Sequence, residues 1–416
     1  MEEQTVQSSA AAVPAPFATS SAKPIPLSKV SALENSRFYS GIKEFDRVLG
    51  GGIMKRSAIL VGGEPGIGKS TLLLQTAAAV ASKNAASGKV LYVSGEESAS
   101  QIKNRADRLG LDTSNIELLC TASLESIESA LNAISPVCVI IDSIQTVCSP
   151  EAGVIPGSVS QLRYCANELV SWVKERDSVM FLVAHITKDG NIAGPKSLEH
   201  LVDTVLSFDR NEEDVRFLRA QKNRFGSVDE LGIFEMSATG LKPVEDPSGM
   251  FMIRREGAIP AGIAIVPVME GTQVFMVEIQ ALTVPAKASV NRVYSDNIDS
   301  ARVSRVAAVL EKKMKLKFSE CDIYVNVAGG VRITESSVDA ALAAALYSAR
   351  TDLALKEQTV IAGEISLAGE IRPVRGLKQR IKTASSLGFK HFIAPGNEPG
   401  IIRVTDVQQL VKTIFS

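Results

Sequence analysis

Cysteine is scarce in this sequence and follows no metal-binding or disulfide pattern. Among 416 residues there are five cysteines, and no two of them have C-x-x-C spacing. The spacing therefore gives no support for a zinc site or a disulfide framework. Three of the five lie in apolar or strand-like surroundings, so we expect buried free thiols in a reducing cytoplasm. The cysteines are Cys120, Cys138, Cys148, Cys165 and Cys321.

Net charge and long apolar runs are nearly absent as well. The 45 Lys and Arg residues are balanced by 46 Asp and Glu residues, which gives a formal net charge of −1. A globally basic surface for nucleic acid is therefore excluded, and any binding of anions must be local. No apolar run approaches the roughly 20 residues that span a bilayer. The first residues, MEEQ, are acidic where a secretory signal is positively charged, so we expect no signal peptide and no membrane partner.

Length and apolar content predict two domains. A chain of 416 residues with 45% hydrophobic residues can bury more than one core. Residues 1–29 are rich in Ala, Ser and Pro, and such a segment buries too little apolar surface to fold. We therefore expect a disordered tail or linker at 1–36. Domains are predicted at 37–243 and 244–416, because LKPVEDPSG carries the Pro, Asp and Gly of a boundary.

Strand-like runs alternate with helical patterns in the first of these domains. The runs are SAILVGG, KVLYVSG, VCVIIDS, SVMFLVAH and TVLSFDR. Alternation of this kind predicts the α/β class, with a mostly parallel sheet covered by helices on both faces. The second domain mixes strand-like runs such as QVFMVEIQALT with the Ala-rich helix DAALAAALYSAR, and we expect an α+β fold there.

The strongest motif is GGEPGIGKST, which fits G-x-x-x-x-G-K-[ST] between a predicted strand and a predicted helix. Its glycines let backbone N–H groups surround phosphate oxygens, and the helix N-terminus adds positive potential. Lys69 is expected to reach the β- and γ-phosphates of ATP, and Ser70 to ligate Mg²⁺. A chance Gly-rich turn is the competing interpretation. The predicted nucleotide-binding residues are Gly63, Glu64, Pro65, Gly66, Ile67, Gly68, Lys69, Ser70 and Thr71.

Chemically capable side chains follow three of the predicted strands. Asp142 in VCVIIDS has the position of a Walker B carboxylate and is expected to hold Mg²⁺ through water, with helix capping as the alternative. Glu96 and Glu97 follow VLYVSG, where a carboxylate would orient and deprotonate the attacking water. Adjacent glutamates also cap helices. His185 ends SVMFLVAH and is expected to sense the γ-phosphate, with a core histidine as the alternative.

Several stretches together resemble the bacterial RadA/Sms DNA-repair proteins, from about Arg37 to the C-terminus. They are SGIKEFDRVLGGGI, GGEPGIGKSTLLLQ, YVSGEES, IIDSIQT, HITKDGNIAGPKSLEHLVD, KNRFGSVDELGIFEM, and GGVRIT with VDAALAAALYSA. KNRFG is the most specific of them. The resemblance implies a RecA-like P-loop ATPase core, followed by a domain similar to the protease domain of Lon.

The same resemblance implies a DNA-dependent ATPase of recombinational DNA repair. Such proteins form homo-oligomeric rings, here expected to be hexamers, and promote branch migration on single-stranded or branched DNA. A recombinase filament is the further partner that the resemblance suggests. Glu96 falls at the catalytic glutamate of RecA-like ATPases. Lys222 and Arg224 fall in KNRFG, a motif that acts across the subunit interface near a neighbour's nucleotide; direct contact with DNA phosphates is the alternative.

Two loops are then expected to face DNA. One is CSPEAGVIPGSVSQLRYCA after the Walker B strand, and the other is TKDGNIAGPKSLEH after SVMFLVAH. Arg163, Lys188 and Lys196 are the candidate phosphate contacts. Tyr164 is the one aromatic residue of the two loops, which favours tracking of the DNA backbone over base stacking. Ordinary surface loops are the competing interpretation.

The sequence departs from the family at two places. Family members usually open with a four-cysteine zinc finger, and this sequence shows none, so no zinc is expected. In the Lon-like region, ITESSVDAALAAAL places Ser337 at the nucleophile of Lon, and VRGLKQRI places Lys378 at its catalytic lysine. A Ser–Lys dyad needs a desolvated lysine, and the Gly-Pro-Ser-Ala-Gly setting of the nucleophile is absent. We therefore interpret Ser337 as a helix N-cap and expect no proteolysis.

The Lon-like domain is expected to serve as a ring scaffold and a DNA-binding surface. EKKMKLK, Arg302 and Arg305 are its basic candidates, and a solvated helix face is the alternative. Two other functions stay open for the whole chain. A regulatory ATPase of the circadian-clock KaiC kind shares the core motifs, although KNRFG and the Lon-like half argue against it. An ATP-dependent Ser–Lys protease is the third.

Overall fold

The structure is a computed structural model. It describes residues 26, 28, 37–83, 88–153, 158–185, 196–210, 214–245, 247–253, 255, 259–286 and 291–415. Apart from Pro26 and Ser28, the tail predicted at 1–36 lies outside these residues. Among the described residues, no helix has both the length and the apolarity needed to cross a membrane.

The chain folds into ten helices and twenty strands within the described ranges. The helices are α1 (Lys43–Val48), α2 (Lys69–Lys83), α3 (Ala99–Arg108), α4 (Leu124–Ile134), α5 (Val159–Lys174), α6 (Lys196–Glu199), α7 (Ser300–Met314), α8 (Asp339–Thr351), α9 (Leu377–Ser386) and α10 (Val407–Phe415). The strands are β1 (Arg37–Phe38), β2 (Ile53–Met54), β3 (Ser57–Gly63), β4 (Val90–Ser94), β5 (Ile116–Cys120), β6 (Cys138–Asp142), β7 (Val179–His185), β8 (Thr204–Arg210), β9 (Arg216–Asn223), β10 (Leu231–Ser237), β11 (Gly240–Pro243), β12 (Ile263–Glu270), β13 (Gln273–Pro285), β14 (Val293–Ser295), β15 (Cys321–Val327), β16 (Thr359–Ile361), β17 (Glu364–Ile365), β18 (Ile371–Arg372), β19 (His391–Ala394) and β20 (Ile401–Arg403).

A nine-stranded sheet organises the first lobe, which comprises β1–β11 and α1–α6. Its order is β11-β10-β9-β8-β3-β7-β6-β4-β5. The six strands β8-β3-β7-β6-β4-β5 of this order run parallel to one another. Strands β9, β10 and β11 extend the sheet as an antiparallel meander. Alternate residues of β7 enter two different apolar clusters, Phe181 on one face and Leu182 on the other. Burial on both faces explains why the parallel strands are continuous apolar runs. The expected α/β class is confirmed.

The register of this sheet brings the predicted chemistry to one edge. Gly63 at the end of β3 pairs with His185 at the end of β7. Ser94 at the end of β4 pairs with Asp142 at the end of β6. Since β3, β7, β6 and β4 are consecutive and parallel, the segments that follow them lie together at the carboxyl edge, where ligands bind in open α/β sheets.

A seven-stranded sheet organises the second lobe, which comprises β12–β20 and α7–α10. Its order is β14-β15-β13-β12-β16-β19-β20. The central strand β13 runs antiparallel to both of its neighbours, β15 and β12, and strands parallel to these neighbours flank them. The Ala-rich helix α8 is almost wholly buried, because its small side chains let it lie against both the sheet and α7. The expected α+β character of this region is confirmed.

The two lobes share one apolar cluster. The ring of Phe217 in β9 lies 6.2 Å from that of Phe251, and Phe251 lies 5.6 Å from Phe275 in β13. Arg219, also in β9, forms an ion pair of 2.8 Å with Glu270 at the end of β12. The strand that leads into KNRFG is therefore attached to the second lobe.

Candidate active site

The phosphate-binding motif forms the turn between β3 and α2. Gly66 and Gly68 have φ values of +76° and +118°, which favour glycine. A Cβ atom on Gly68 would lie 2.9 Å from Leu241 and 3.0 Å from Met236, whereas one on Gly66 would meet nothing within 4 Å. The turn thus packs closely against β10 and β11 at Gly68 and stays open at Gly66.

Lys69 is buried at the start of α2 and is turned back onto its own loop. Its Nζ donates to the carbonyl oxygens of Gly63 at 2.7 Å and Glu64 at 2.9 Å, and it lies 3.3 Å from His185 Nδ1. Burial lowers the pKa of Lys69 to about 8, against the opposing pull of nearby carboxylates. A nucleotide phosphate would give this ammonium a stronger partner than the loop carbonyls.

Asp142 ends β6 and is held by a tyrosine that the sequence patterns did not single out. The Tyr92 hydroxyl donates to Asp142 Oδ2 at 2.7 Å. Burial, and then the proximity of Asp142, raise the pKa of Tyr92 well above its usual value, so the phenol remains a donor. A buried tyrosine usually finds a hydrogen-bond partner, and the position of Tyr92 inside an apolar strand was the available signal.

The two adjacent glutamates have different partners. Glu96 Oε1 accepts a hydrogen bond of 2.5 Å from Ser143 Oγ and lies 3.3 Å from His185 Nε2. Glu97 is ion-paired with Arg105 of α3. Neither glutamate is the N-cap of α3, because Ser98 occupies that position. Of the two carboxylates, Glu96 is the one directed toward the histidine beside the P-loop lysine.

His185 connects the lysine and the glutamate across the cleft. A lysine ammonium can only donate, so Nδ1 is the acceptor and the proton on Nε2 is directed at Glu96. The Gln145 amide holds both the N–H of His185, at 3.0 Å, and its carbonyl oxygen, at 3.1 Å. The imidazole is a third exposed, so His185 is a cleft residue and not a core histidine.

These groups surround an open cleft of about 500 Å³. Four lining residues were not anticipated from the sequence: Ser94, Arg105, Arg108 and Met236. The two arginines lie three residues apart on α3 and so share a helix face, which was the available signal. The predicted nucleotide residues that line the cleft are Pro65, Gly66, Gly68, Lys69, Ser70 and Thr71. Gly63 and Ile67 are buried, and Glu64 is exposed outside the cleft lining.

KNRFG lies at the opposite edge of the sheet. Asn223 pairs with Thr204 at the start of β8, whereas Gly63 pairs with Phe208 further along the same strand. Four residues of extended strand separate these pairings, which corresponds to about 13 Å. The structure therefore does not bring the KNRFG cations to the P-loop of their own chain.

Both KNRFG cations have local partners. Lys222 Nζ donates to the carbonyl oxygens of Glu199 at 2.6 Å and Val202 at 2.8 Å. Burial, and then the charge of Arg224, lower the pKa of Lys222. Arg224 pairs with Asp203 at 3.1 Å, yet its side chain is 52% exposed. Arg224 is thus the more accessible of the two.

The candidate DNA contacts are only partly described. Arg163 was placed in a loop, and this was wrong: it is exposed on α5, which begins directly after its N-cap Ser158. Tyr164, on the same helix, donates a hydrogen bond of 2.6 Å to Glu151. Lys188 lies outside the described residues, and Lys196 is the first residue of α6.

The Ser–Lys pairing considered for the second lobe is wrong. Ser337 is buried, and its Oγ accepts from Arg380 Nη1 at 3.2 Å. The side chain of Lys378 is 84% exposed, with Nζ 3.9 Å from Glu398. Residues two apart on α9 point in different directions, so Arg380, and not Lys378, faces the serine. A guanidinium stays protonated and cannot serve as the base of such a dyad.

The N-cap interpretation of Ser337 is wrong as well. Ser337 lies inside a 3₁₀ turn, Ser336–Val338, and α8 begins at Asp339 without a side-chain cap. Its hydroxyl is a partner of Arg380 and not of the helix backbone. Among the basic candidates of this lobe, Arg302 donates to the carbonyl oxygens of Thr334 and Glu335, so it is occupied internally. Arg305 is exposed.

Two family models match the chain. A model described as the AAA domain matches residues 25–191, and a model described as subunit ChlI of Mg-chelatase matches residues 287–398. A solved structure, that of a KaiC-like protein from Pyrococcus horikoshii OT3, aligns with a TM-score of 0.42 and 22% identity, covering 50% of this chain and 98% of that chain.

Full-length relatives match over almost the whole chain. DNA repair protein RadA of Treponema pallidum is 62% identical over 398 residues, covering 94% of this chain and 86% of the relative. DNA repair protein RadA of Bacillus subtilis is 45% identical over 374 residues, covering 90% and 81%. That of Streptococcus pneumoniae is 43% identical over 405 residues, covering 95% of each. The chain belongs to the RadA family of DNA repair proteins.

Proposed function

We propose that the chain is a DNA-dependent ATPase of recombinational DNA repair, working as a homohexameric ring that promotes branch migration. The observation that carries this proposal is the carboxyl edge of the first sheet, where the P-loop, Lys69, Asp142 and Glu96 converge. The name of the relatives, DNA repair protein RadA, supports the repair role. Single-stranded or branched DNA is the proposed substrate.

The cleft residues fit a magnesium nucleotide. Gly66 is open to the cleft, and among the described residues the buried Lys69 ammonium has only carbonyl and imidazole partners. Within the described ranges, no group of three or more His, Cys, Asp or Glu residues is arranged to hold a metal ion. Nucleotide-bound Mg²⁺ needs no such group, because phosphates and waters supply most of its ligands. Ser70 and Asp142 would hold the ion, which neutralises charge that develops on the phosphates.

Glu96 is the proposed general base. Ser143 fixes one carboxylate oxygen at 2.5 Å, and the His185 ring borders the same oxygen at 3.3 Å. A water between Glu96 and the γ-phosphate would pass its proton to the carboxylate as its oxygen attacks phosphorus, while the bond from phosphorus to the bridging oxygen breaks and ADP leaves. Lys69 would leave the loop carbonyls and stabilise charge on the γ-phosphate oxygens.

Lys222 and Arg224 are proposed to act on the nucleotide of a neighbouring subunit. Their place at the opposite sheet edge supports this role, since they are far from their own P-loop. A cation supplied in trans would couple hydrolysis to assembly of the ring. Direct contact with DNA phosphates is the second candidate, and the exposure of Arg224 favours it.

DNA is proposed to contact the segments that follow β6 and β7. Both segments leave the sheet at the nucleotide edge, and the Gln145 amide joins them by holding the backbone of His185. This link would connect the state of the nucleotide to the position of the segments. Arg163, Lys188 and Lys196 remain the proposed phosphate contacts there.

ATP turnover, measured with and without single-stranded DNA, tests the function. We expect DNA to stimulate turnover and Lys69→Ala to abolish it, because the phosphate clamp is removed. Turnover that DNA does not change, with no DNA binding, would favour a regulatory ATPase of the KaiC kind. Wild-type turnover in Lys69→Ala would reject the P-loop assignment.

Mixed rings test the action in trans. Lys222→Ala should lose turnover and keep nucleotide affinity, and mixing it with Lys69→Ala should restore part of the activity at interfaces that combine an intact P-loop with an intact Lys222. Lys242→Ala, an exposed lysine on β11, is the matched control and should keep full turnover. Co-assembly is verified first with differently tagged subunits. Basal turnover that survives in Lys222→Ala, with only DNA stimulation lost, would support the DNA-contact role instead.

A further inference from the structure

We infer that Tyr92 is a positioning residue for magnesium: its phenol fixes the Asp142 carboxylate in the orientation that receives the metal ion of a bound nucleotide. This rests on the proposed ATPase function and assigns a role to a residue outside the P-loop and Walker B motifs. Tyr92 itself does not touch the nucleotide in this proposal. It acts through Asp142.

The register of the sheet makes the contact specific. Tyr92 pairs with Ile140 across β4 and β6, and Ser94 pairs with Asp142 two residues further along. The tyrosine side chain therefore reaches along the strand direction by two residues, about 7 Å, which only a long side chain with a terminal donor can do. The resulting bond from Tyr92 Oη to Asp142 Oδ2 is 2.7 Å long.

The phenol ring of Tyr92 is buried, and its hydroxyl is anchored on Asp142. Tyr92 is 1% exposed, and its ring is part of the apolar cluster that includes Ile102 and Ala106 of α3. A fixed ring carries a fixed hydroxyl. The donor is therefore present before any nucleotide arrives, and Asp142 does not have to lose side-chain freedom when the ion binds.

The two oxygens of the Asp142 carboxylate have different roles in this proposal. Asp142 lines the nucleotide cleft and is otherwise buried at the end of β6. Within the described residues, Tyr92 is the one side chain that donates a hydrogen bond to this carboxylate, and it bonds Oδ2. Oδ1 is left for the cleft. Hydrogen-bonded partners that orient a metal-binding carboxylate typically contribute about 10–100-fold in metal affinity or activity.

Tyr92→Phe removes the hydroxyl and keeps the ring, so it separates orientation from packing. Binding of a fluorescent, slowly hydrolysed ATP analogue is measured in EDTA and then as Mg²⁺ is titrated in. We expect wild-type affinity in EDTA. We also expect the Mg²⁺ concentration at half-maximal tightening to rise about tenfold or more, with a matching shift in the Mg²⁺ dependence of ATP turnover. Ser348→Ala, which removes a buried hydroxyl from the second lobe, is the control and should leave both titrations unchanged.

A double-mutant cycle tests whether Tyr92 affects Mg²⁺ binding through Asp142. In an Asp142→Asn background, adding Tyr92→Phe should cause no further change in the Mg²⁺ requirement, because its target carboxylate is already gone. Tyr92→Met, which fills the site without a donor, provides a second variant should the phenylalanine form fail to fold. A lower melting temperature with an unchanged Mg²⁺ titration would overturn the inference and leave Tyr92 as a packing residue. A wild-type protein that neither binds nor hydrolyses ATP would instead defeat the proposed function.

Discussion

Arg380 is the residue whose replacement should reveal most about the second lobe. It is 1% exposed and holds Glu335 through two hydrogen bonds, of 3.0 Å and 2.7 Å. It also donates to Ser337 Oγ at 3.2 Å and to the carbonyl oxygens of Arg375, at 2.9 Å, and Pro267. Arg380→Met keeps much of the apolar stem and removes every one of these donors.

The size of the effect follows from burial. Removing one partner of a buried ion pair costs about 3–5 kcal/mol, because the other charge is left unpaired. Glu335 is 25% exposed, so water can solvate part of it, and the lower figure of about 3 kcal/mol applies. In a unit of 150–250 residues each kcal/mol shifts the melting temperature by roughly 2–4 °C. We therefore expect melting to fall by about 6–12 °C in thermal denaturation followed by circular dichroism.

Lys378→Met provides the matched control on the same helix. That lysine is 84% exposed, and surface substitutions usually change stability by no more than about 0.5 kcal/mol. Arg380→Lys adds a functional test, since it places a lysine beside Ser337. We expect an intermediate loss of stability and no hydrolysis of fluorogenic peptides, because Glu335 keeps the lysine protonated. If the melting temperature of Arg380→Met equals that of the wild type, the hydrogen bonds of Arg380 do not stabilise the second lobe. If Arg380→Lys cleaves peptides, Glu335 does not keep the introduced lysine protonated.

Two further predictions concern carboxylates. Glu96→Gln should lower ATP turnover by about 10²–10⁴-fold and still bind nucleotide, whereas Glu97→Gln should keep most turnover because Glu97 pairs with Arg105. The reverse pattern in turnover and fluorescent-nucleotide assays would make Glu97 the base. Burial raises the pKa of Asp339, so its ionised form destabilises the folded state and wild-type stability declines as pH rises through that pKa. The side chain introduced by Asp339→Asn cannot ionise. The melting temperature of this variant, relative to that of the wild type, should therefore rise between pH 4 and pH 8. A difference in melting temperature that stays constant over this range would contradict a raised pKa of Asp339.

Local patterns were enough to predict the framework of the first lobe. The runs at β3, β4, β6, β7 and β8 are continuous and apolar because helices cover both faces of a parallel sheet, and turn residues bound them. Strand β5 was not predicted, because its sequence, IELLC, is short and half exposed at the edge of the sheet. Arg163 was assigned to a loop from nearby Gly and Pro residues, yet Ser158 starts a helix directly after them.

Side-chain partners across the fold could not be predicted in this way. The sequence does not distinguish Glu96 from Glu97, since the difference lies in Ser143, which is 47 positions away from Glu96 along the chain. In the second lobe the motif pointed to Lys378, and helix geometry instead directs Arg380 at the serine. Such contacts depend on register and packing between distant segments, which short-range periodicity does not contain.

Strand β9 shows how the two lobes would cooperate under the proposed function. Phe217 and Arg219 attach this strand to the second lobe through Phe251 and Glu270. Lys222 lies three residues beyond Arg219 on the same strand. If Lys222 acts on a neighbour's nucleotide, its position is set by where the second lobe holds β9, because an extended strand transmits displacement along its length. The second lobe then has a mechanical use: it fixes the cations that one subunit offers to the next.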